Sequence, residues 1–139
     1  MNIDSIKNGI VIDHITAGKS FLIYSLLGLD KLGTTVALIK NAASKKSGKK
    51  DIIKVDGDFY PDTDILGFVD PGATVNIIKD SVIVEKKTLA LPEKLVGVIK
   101  CKNPRCITST EQELPDIFKL TDRSSATYRC IYCESKGER

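Results

Sequence analysis

Two close pairs of cysteines near one end constrain this chain more than any other feature. Cys101 and Cys106 bracket Lys102-Asn103-Pro104-Arg105, and Cys130 and Cys133 bracket Ile131-Tyr132. Each short loop brings two sulfurs to neighbouring corners of a tetrahedron, which suits one structural zinc ion per chain with all four cysteines as ligands. The four-residue gap of the first pair lies within the spacing such sites use. Two alternatives stay open: a pair of disulfides, or four unrelated buried thiols. A disulfide framework belongs mainly with secreted proteins. The start Met1-Asn2-Ile3-Asp4 lacks the basic segment and long apolar run of a secretory signal. The longest apolar stretch, around Phe21 to Leu29, is interrupted by Ser25 and Gly28 and is too short to span a bilayer. A soluble, cytoplasmic protein with no membrane partner is expected.

Charge argues against a nucleic-acid binder. The chain carries 21 basic and 18 acidic residues, a formal net charge of +3. Residues 1–92 hold 12 basic against 11 acidic residues, and residues 93–139 hold 9 against 7, so neither part has the basic excess that phosphate-backbone binding requires. Lys100, Lys102, Arg105 and Arg129 flank the cysteines, where they offset the negative charge of a tetrathiolate cluster.

Thr88-Leu89-Ala90-Leu91-Pro92 reads as a boundary, because a strand-like run ends there and Pro92 constrains the backbone. Residues 93–139 are too few for a core alone to hold them folded, so metal binding and folding are expected to be coupled. Leu95 to Ile99 and Thr127 to Ile131 read as short antiparallel strands around a metal corner, with Pro104 in the turn between the first two ligands.

Residues 1–92 have a different pattern. Gly9 to Ile15 is rich in β-branched residues and predicts a strand. Phe21, Leu22, Leu26 and Leu29 fall at helical spacing from Lys19 onward. Thr34 to Ile39 and Asp51 to Val55 predict strands joined by a long, basic, mobile loop over Asn41 to Lys50. Pro61-Asp62-Thr63-Asp64 opens a second helix, closed by Pro71-Gly72. Ala73 to Ile78 and Ser81 to Lys87 predict a hairpin across Lys79-Asp80. The order β-α-β-β-α-β with one added strand defines an α+β chain: a ferredoxin-like N-terminal sandwich followed by a small all-β zinc-binding domain. Such a sheet keeps one face open to a ligand or another subunit.

Signs of catalysis are few. His14 is the only histidine, and no nucleophile stands at a recognisable spacing from it. Neighbours on a regular strand point to opposite faces, so Asp13 and His14 are not expected to touch. Ala17-Gly18-Lys19-Ser20 looks like the end of a phosphate-binding loop but lacks the upstream glycine. Four thiolates leave a metal no open position for hydrolysis. Binding is better supported. Lys50 and Lys54 share strand parity and hence a face, where together they can clamp a polyphosphate. Strand lysines also serve as solvated guards against edge pairing. Asn76 can bond a ligand or only a neighbouring backbone group.

Several segments together resemble one family. The runs Gly9 to Ile15, Lys50 to Val55 and Ala73-Thr74-Val75-Asn76, the hinge Leu91-Pro92-Glu93, and the segments Cys101 to Ile107 and Cys130 to Glu134 are similar, in order, to the regulatory chain of aspartate carbamoyltransferase. The resemblance implies a non-catalytic subunit of pyrimidine biosynthesis. Residues 1–92 would be an allosteric domain that pairs with its own copy and binds nucleoside triphosphates such as CTP, UTP and ATP. Residues 93–139 would be a zinc domain that contacts the catalytic chain. By motif matching, Asp13, His14, Lys50, Lys54, Asn76 and Lys86 fall on nucleotide-site positions, and Ile6 falls where backbone groups meet the base. Ser81 departs from the bulky aromatic familiar there. The competing readings are a zinc-ribbon nucleic-acid module and a free-standing enzyme using His14.

Overall fold

The computed structural model describes residues 6–45, 48–111 and 113–137. The chain forms two compact units that divide between Ala90 and Leu91. Among the described residues no helix is long and apolar enough to cross a membrane.

The first unit is built on β1 (Gly9–Thr16), α1 (Ser20–Leu26), a 3-10 turn (Leu29–Lys31), β2 (Val36–Ser44), β3 (Gly48–Asp56), α2 (Thr63–Val69), β4 (Thr74–Lys79) and β5 (Val82–Thr88). The strands form one sheet in the order β2-β3-β1-β4-β5, with every neighbouring pair antiparallel. This is the expected ferredoxin-like arrangement with β5 added beside β4. Alternation decides its faces. Ile10, Ile12, Ile53, Val55, Val75 and Ile77 point inward and are at most 6% exposed. Ile23, Leu29, Leu66, Phe68 and Val69 from the helical segments are buried with them. Each such side chain removed from water is worth about 1.5–3 kcal/mol, so this layer carries the unit.

Three details differ from the sequence reading. The mobile loop expected over Asn41 to Lys50 is mostly strand: β2 and β3 stay paired out to Ser44 opposite Gly48, while residues 46 and 47 lie outside the described residues. Polar composition suggested a loop there, but hairpin pairing supplies the hydrogen bonds that side-chain burial does not. Pro61 precedes α2 rather than lying in its first turn. The cap is Asp62, whose Oδ1 accepts from the Asp64 and Ile65 N–H groups at 2.9 and 3.3 Å. The hairpin turn falls on Asp80-Ser81, both left-handed at φ 51 and 65, which matches the twist of paired strands.

The second unit contains β6 (Lys94–Val96), a short helix α3 (Ile107–Thr110), β7 (Ile117–Asp122) and β8 (Thr127–Cys130). The strands make an antiparallel sheet in the order β6-β7-β8. β6 is shorter than the expected Leu95 to Ile99, because Gly97 turns left-handed at φ 70 and gives its N–H to Asp116 O at 2.8 Å. The large apolar or aromatic side chains fully buried here are Leu95, Phe118 and Tyr128. The Tyr128 hydroxyl donates to Pro92 O at 2.5 Å.

Candidate functional site

On β3 the alternation is sharp. Asp51, Ile53 and Val55 are buried, whereas Lys50, Ile52 and Lys54 are half-buried on the opposite, open face. Register then carries one row across the sheet: Ala37 opposite Lys54, Lys54 opposite Val11, Val11 opposite Asn76, and Asn76 opposite Lys86. Residues directly opposite share a face, so Lys54, Asn76 and Lys86 stand on the open side. Lys54 and Lys86 are three strand spacings apart, roughly 14 Å. Between them Asn76 is only 9% exposed, and its Oδ1 has no hydrogen-bond partner among the described residues.

A second group forms further along β1. Pairing with β3 passes from Ile12 opposite Ile53 to Ile15 opposite Asp51, so β1 holds one extra residue. His14 takes it up in the left-handed region at φ 58. This bulge corrects the expectation that Asp13 and His14 stay apart. The extra residue breaks the alternation, bringing His14 Nδ1 to 3.9 Å from Asp13 Oδ2 and to 3.2 Å from Thr74 Oγ1. Asp13 Oδ1 accepts from the His14 N–H at 2.7 Å and from Lys50 Nζ at 2.9 Å. Burial pushes the Asp13 carboxyl up, but the Lys50 hydrogen bond, the His14 N–H and the two neighbouring charges outweigh it and hold the group below its usual range. Lys50 is thereby oriented rather than loosely solvated. His14 also borders an open cleft of about 610 Å³ lined by Thr16, Gly48, Lys49 and Gly72.

Ile6 lies half-buried just ahead of β1. The residues after it run beside the β4–β5 turn: Ser81 N donates to Lys7 O at 2.9 Å, and Asp80 N to Asn8 Oδ1 at 3.2 Å. The sequence-derived residues thus fall into one row (Lys54, Asn76, Lys86), one cluster (Asp13, His14, Lys50) and one flank (Ile6) of the first unit. Sequence reasoning missed Thr74, although its parity with Asn76 was a usable signal. It also missed what occupies the turn Ala17 to Ser20. No phosphate-like ligand is needed there, because Asp51 Oδ2 accepts from Gly18 N at 3.1 Å and from Ser20 Oγ at 2.6 Å.

In the second unit the four cysteine sulfurs lie within 4.8 Å of one another. The short approaches run between the loops, Cys101 to Cys133 at 3.5 Å and Cys106 to Cys130 at 3.7 Å. A disulfide needs about 2.05 Å, so these are four free thiols facing one point. Sulfurs placed about 2.3 Å from one tetrahedral ion stand about 3.8 Å apart, close to both distances. Local hydrogen bonds fold each loop. Cys106 N donates to Asn103 O at 3.1 Å, and Glu134 N to Cys130 O at 2.8 Å, with Glu134 left-handed at φ 63. Arg129 Nη1 donates to Glu134 O at 3.0 Å, so one of the flanking cations braces a ligand loop. Burial raises the Cys101 thiol to about 12, while the Ser135 hydroxyl and N–H draw Cys133 down to about 6. A divalent cation at the centre stabilises all four thiolates together. The donor set therefore fits a metal ion.

Comparison with known proteins covers both units. Residues 1–90 match the family model described as the allosteric domain of the aspartate carbamoyltransferase regulatory chain, and residues 93–139 match that of its metal-binding domain. The chain is 52% identical over 134 residues to the aspartate carbamoyltransferase regulatory chain of Clostridium botulinum, covering 96% of this chain and 92% of that one. It is 46% identical over 138 residues to the same-named chain of Bifidobacterium longum, with 99% of each covered.

Proposed function

The chain belongs to the family of aspartate carbamoyltransferase regulatory chains, non-catalytic chains with an allosteric and a metal-binding domain, and from that premise we propose that it is a nucleotide sensor docked on a catalytic chain. In this reading residues 1–92 bind CTP, UTP and ATP as effectors of pyrimidine biosynthesis in the cytoplasm. Residues 93–139, held by one zinc ion, attach to the catalytic chain. Nucleic acid is not a proposed partner.

The observation that carries the nucleotide site is the orphaned Asn76 Oδ1, buried in a row between two lysines. A buried acceptor without a donor is costly, and the amino group of a base or a ribose hydroxyl supplies one. Lys50, Lys54 and Lys86 provide the cations a triphosphate needs, joined by His14 when protonated. Asp13 can accept from a ribose hydroxyl, and the backbone at Ile6 lies beside the β4–β5 turn, where it can read a base edge. β2 lies at an edge of the sheet among the described residues, where a strand of a second copy can pair, which supports homodimerisation through the N-terminal domain.

Zinc is favoured over other metals because four sulfurs in a closed tetrahedral set suit it and leave no catalytic position. Ile107, Ile131 and Tyr132, 48%, 43% and 40% exposed, follow or separate the ligands. In this reading they are apolar contacts for docking, held in place by the metal loops. Effector control then requires that nucleotide bind the two states of the assembly unequally.

Calorimetric titration of the full chain with CTP, UTP and ATP tests the site. Lys54→Ala and Lys86→Ala should each weaken binding about tenfold, the loss of one charge-assisted contact. Unchanged affinity in both variants would sink the site assignment and leave family membership standing.

A further inference from the structure

We propose that Asp51 is a positioning residue of the nucleotide site, an internal clasp that holds His14 and Lys50 on the open face. The proposal rests on the nucleotide-sensing reading and adds a residue that faces the other way. Asp51 is fully buried, at 0% exposure. Its carboxylate accepts from the backbone N–H groups of Gly18, Ser20 and Asn41 at 3.1, 3.4 and 3.0 Å and from the Ser20 hydroxyl at 2.6 Å. None of these donors is a cation. Burying a carboxylate is expensive, and an apolar side chain would fill the same place without needing four donors. What the carboxylate adds is connection.

It joins three segments. The first is the start of α1, whose own N-cap residue, Lys19, makes no side-chain cap; Asp51 caps it from a distant strand. The second is β2, where pairing jumps from Ile39 opposite Ile52 to Ala42 opposite Lys50, leaving one extra residue. Asn41 lies in this bulge, left-handed at φ 57, and gives its N–H to Asp51 Oδ1. The third is β3 itself. The bulge at Asp13-His14 in β1 faces the same short stretch of β3 from the other side. Two bulges therefore meet Asp51 and Ile52 from opposite flanks. The chain of contacts runs from the Asp51 clasp to its neighbour Lys50, from Lys50 Nζ to Asp13, and from Asp13 to the His14 N–H. A slip of β3 by one residue would turn Lys50 into the core. Asp51 opposes that slip by tying the stretch to α1 and β2 at once.

His14 is the only histidine in the chain, so its ring signals in a heteronuclear NMR spectrum need no assignment. In the full chain, Asp51→Asn turns one carboxylate acceptor into an amide donor. It should displace the His14 ring signals and weaken CTP binding about tenfold. Ile53→Val, buried on the same strand, is the control: it should lower stability while leaving the His14 signals in place. If Asp51→Asn does not fold, Ser20→Ala removes a single donor and should move the His14 signals in the same direction by less. His14 signals and CTP affinity like those of the unsubstituted chain, in whichever variant folds, overturn the clasp. Failure of the unsubstituted chain to bind CTP would instead remove the nucleotide reading, while the His14 displacement still decides for or against the clasp.

Discussion

An unsatisfied buried acceptor costs about 1–3 kcal/mol, and Asn76 Oδ1 is such an acceptor. Replacing it with an apolar side chain of similar volume removes the penalty together with the recognition. Asn76→Leu should therefore leave the unliganded chain as stable or more stable by up to about 1 kcal/mol, and abolish measurable CTP binding. Denaturation midpoints and calorimetry check both halves. A chain clearly destabilised by Asn76→Leu would mean that the amide has a structural task instead. Acid should act on two other residues. Burial pushes Asp13 and Asp51 up, but hydrogen bonds, and for Asp13 the nearby charges of Lys50 and His14, pull harder; both folded carboxyls lie below 3.8. A depressed folded pKa contributes stability that is present above the unfolded value and lost as pH falls through the folded one. The first unit should thus lose stability from about pH 3.8 downward. Asp51→Asn should flatten that acid limb of a stability-against-pH curve, and an unchanged limb would count against a native carboxylate at this position.

Elements reveal how much of the molecule was legible in its sequence. The strands and two helices of the first unit and the shared face of Lys50 and Lys54 follow from hydrophobic periodicity, which is a local property. The cysteine site follows from spacing, which is also local. The bulges do not, because a single extra residue in β1 or β2 is defined only against β3, far away in sequence. Hence the Asp13–His14 contact was missed while both residues were identified. β7 was missed for another reason: in Ile117 to Asp122 only Phe118 is fully buried, so no clear alternation marks it. α2 contains a further constraint that spacing hides. A Cβ on Gly67 would lie 2.1 Å from the Ala90 carbonyl oxygen, a backbone atom that cannot swing aside. Gly67→Ala should destabilise the first unit by about 3 kcal/mol, at the upper end for overpacking despite alanine's better helix propensity. Urea unfolding measures it, and a stabilising result would show that the chain after β5 moves freely from α2.

At the scale of the whole molecule, the two units differ in what holds them. The first has a continuous layer of isoleucine, leucine, valine and phenylalanine. In the second, Leu95, Phe118 and Tyr128 are the large side chains fully buried among the described residues, joined by the thiols of Cys101, Cys106 and Cys130. Three such side chains contribute roughly 5–9 kcal/mol. Backbone ordering opposes folding at every residue, so a core of three large side chains is too small to hold the unit by itself. A metal ion on the four cysteines, worth roughly 10–16 kcal/mol if it is zinc, is enough to decide the balance. Removing the metal should therefore unfold residues 91–139 and leave residues 6–90 folded. Hydrogen exchange followed by mass spectrometry distinguishes the parts: after chelation, amides of β7 and β8 should exchange rapidly while those of β1 and β3 keep their protection. Persistent protection in β7 after verified metal loss would mean that packing alone holds the second unit. In that case the exposed Ile107, Ile131 and Tyr132 would keep their arrangement without metal, and association with a catalytic chain should survive chelation as well.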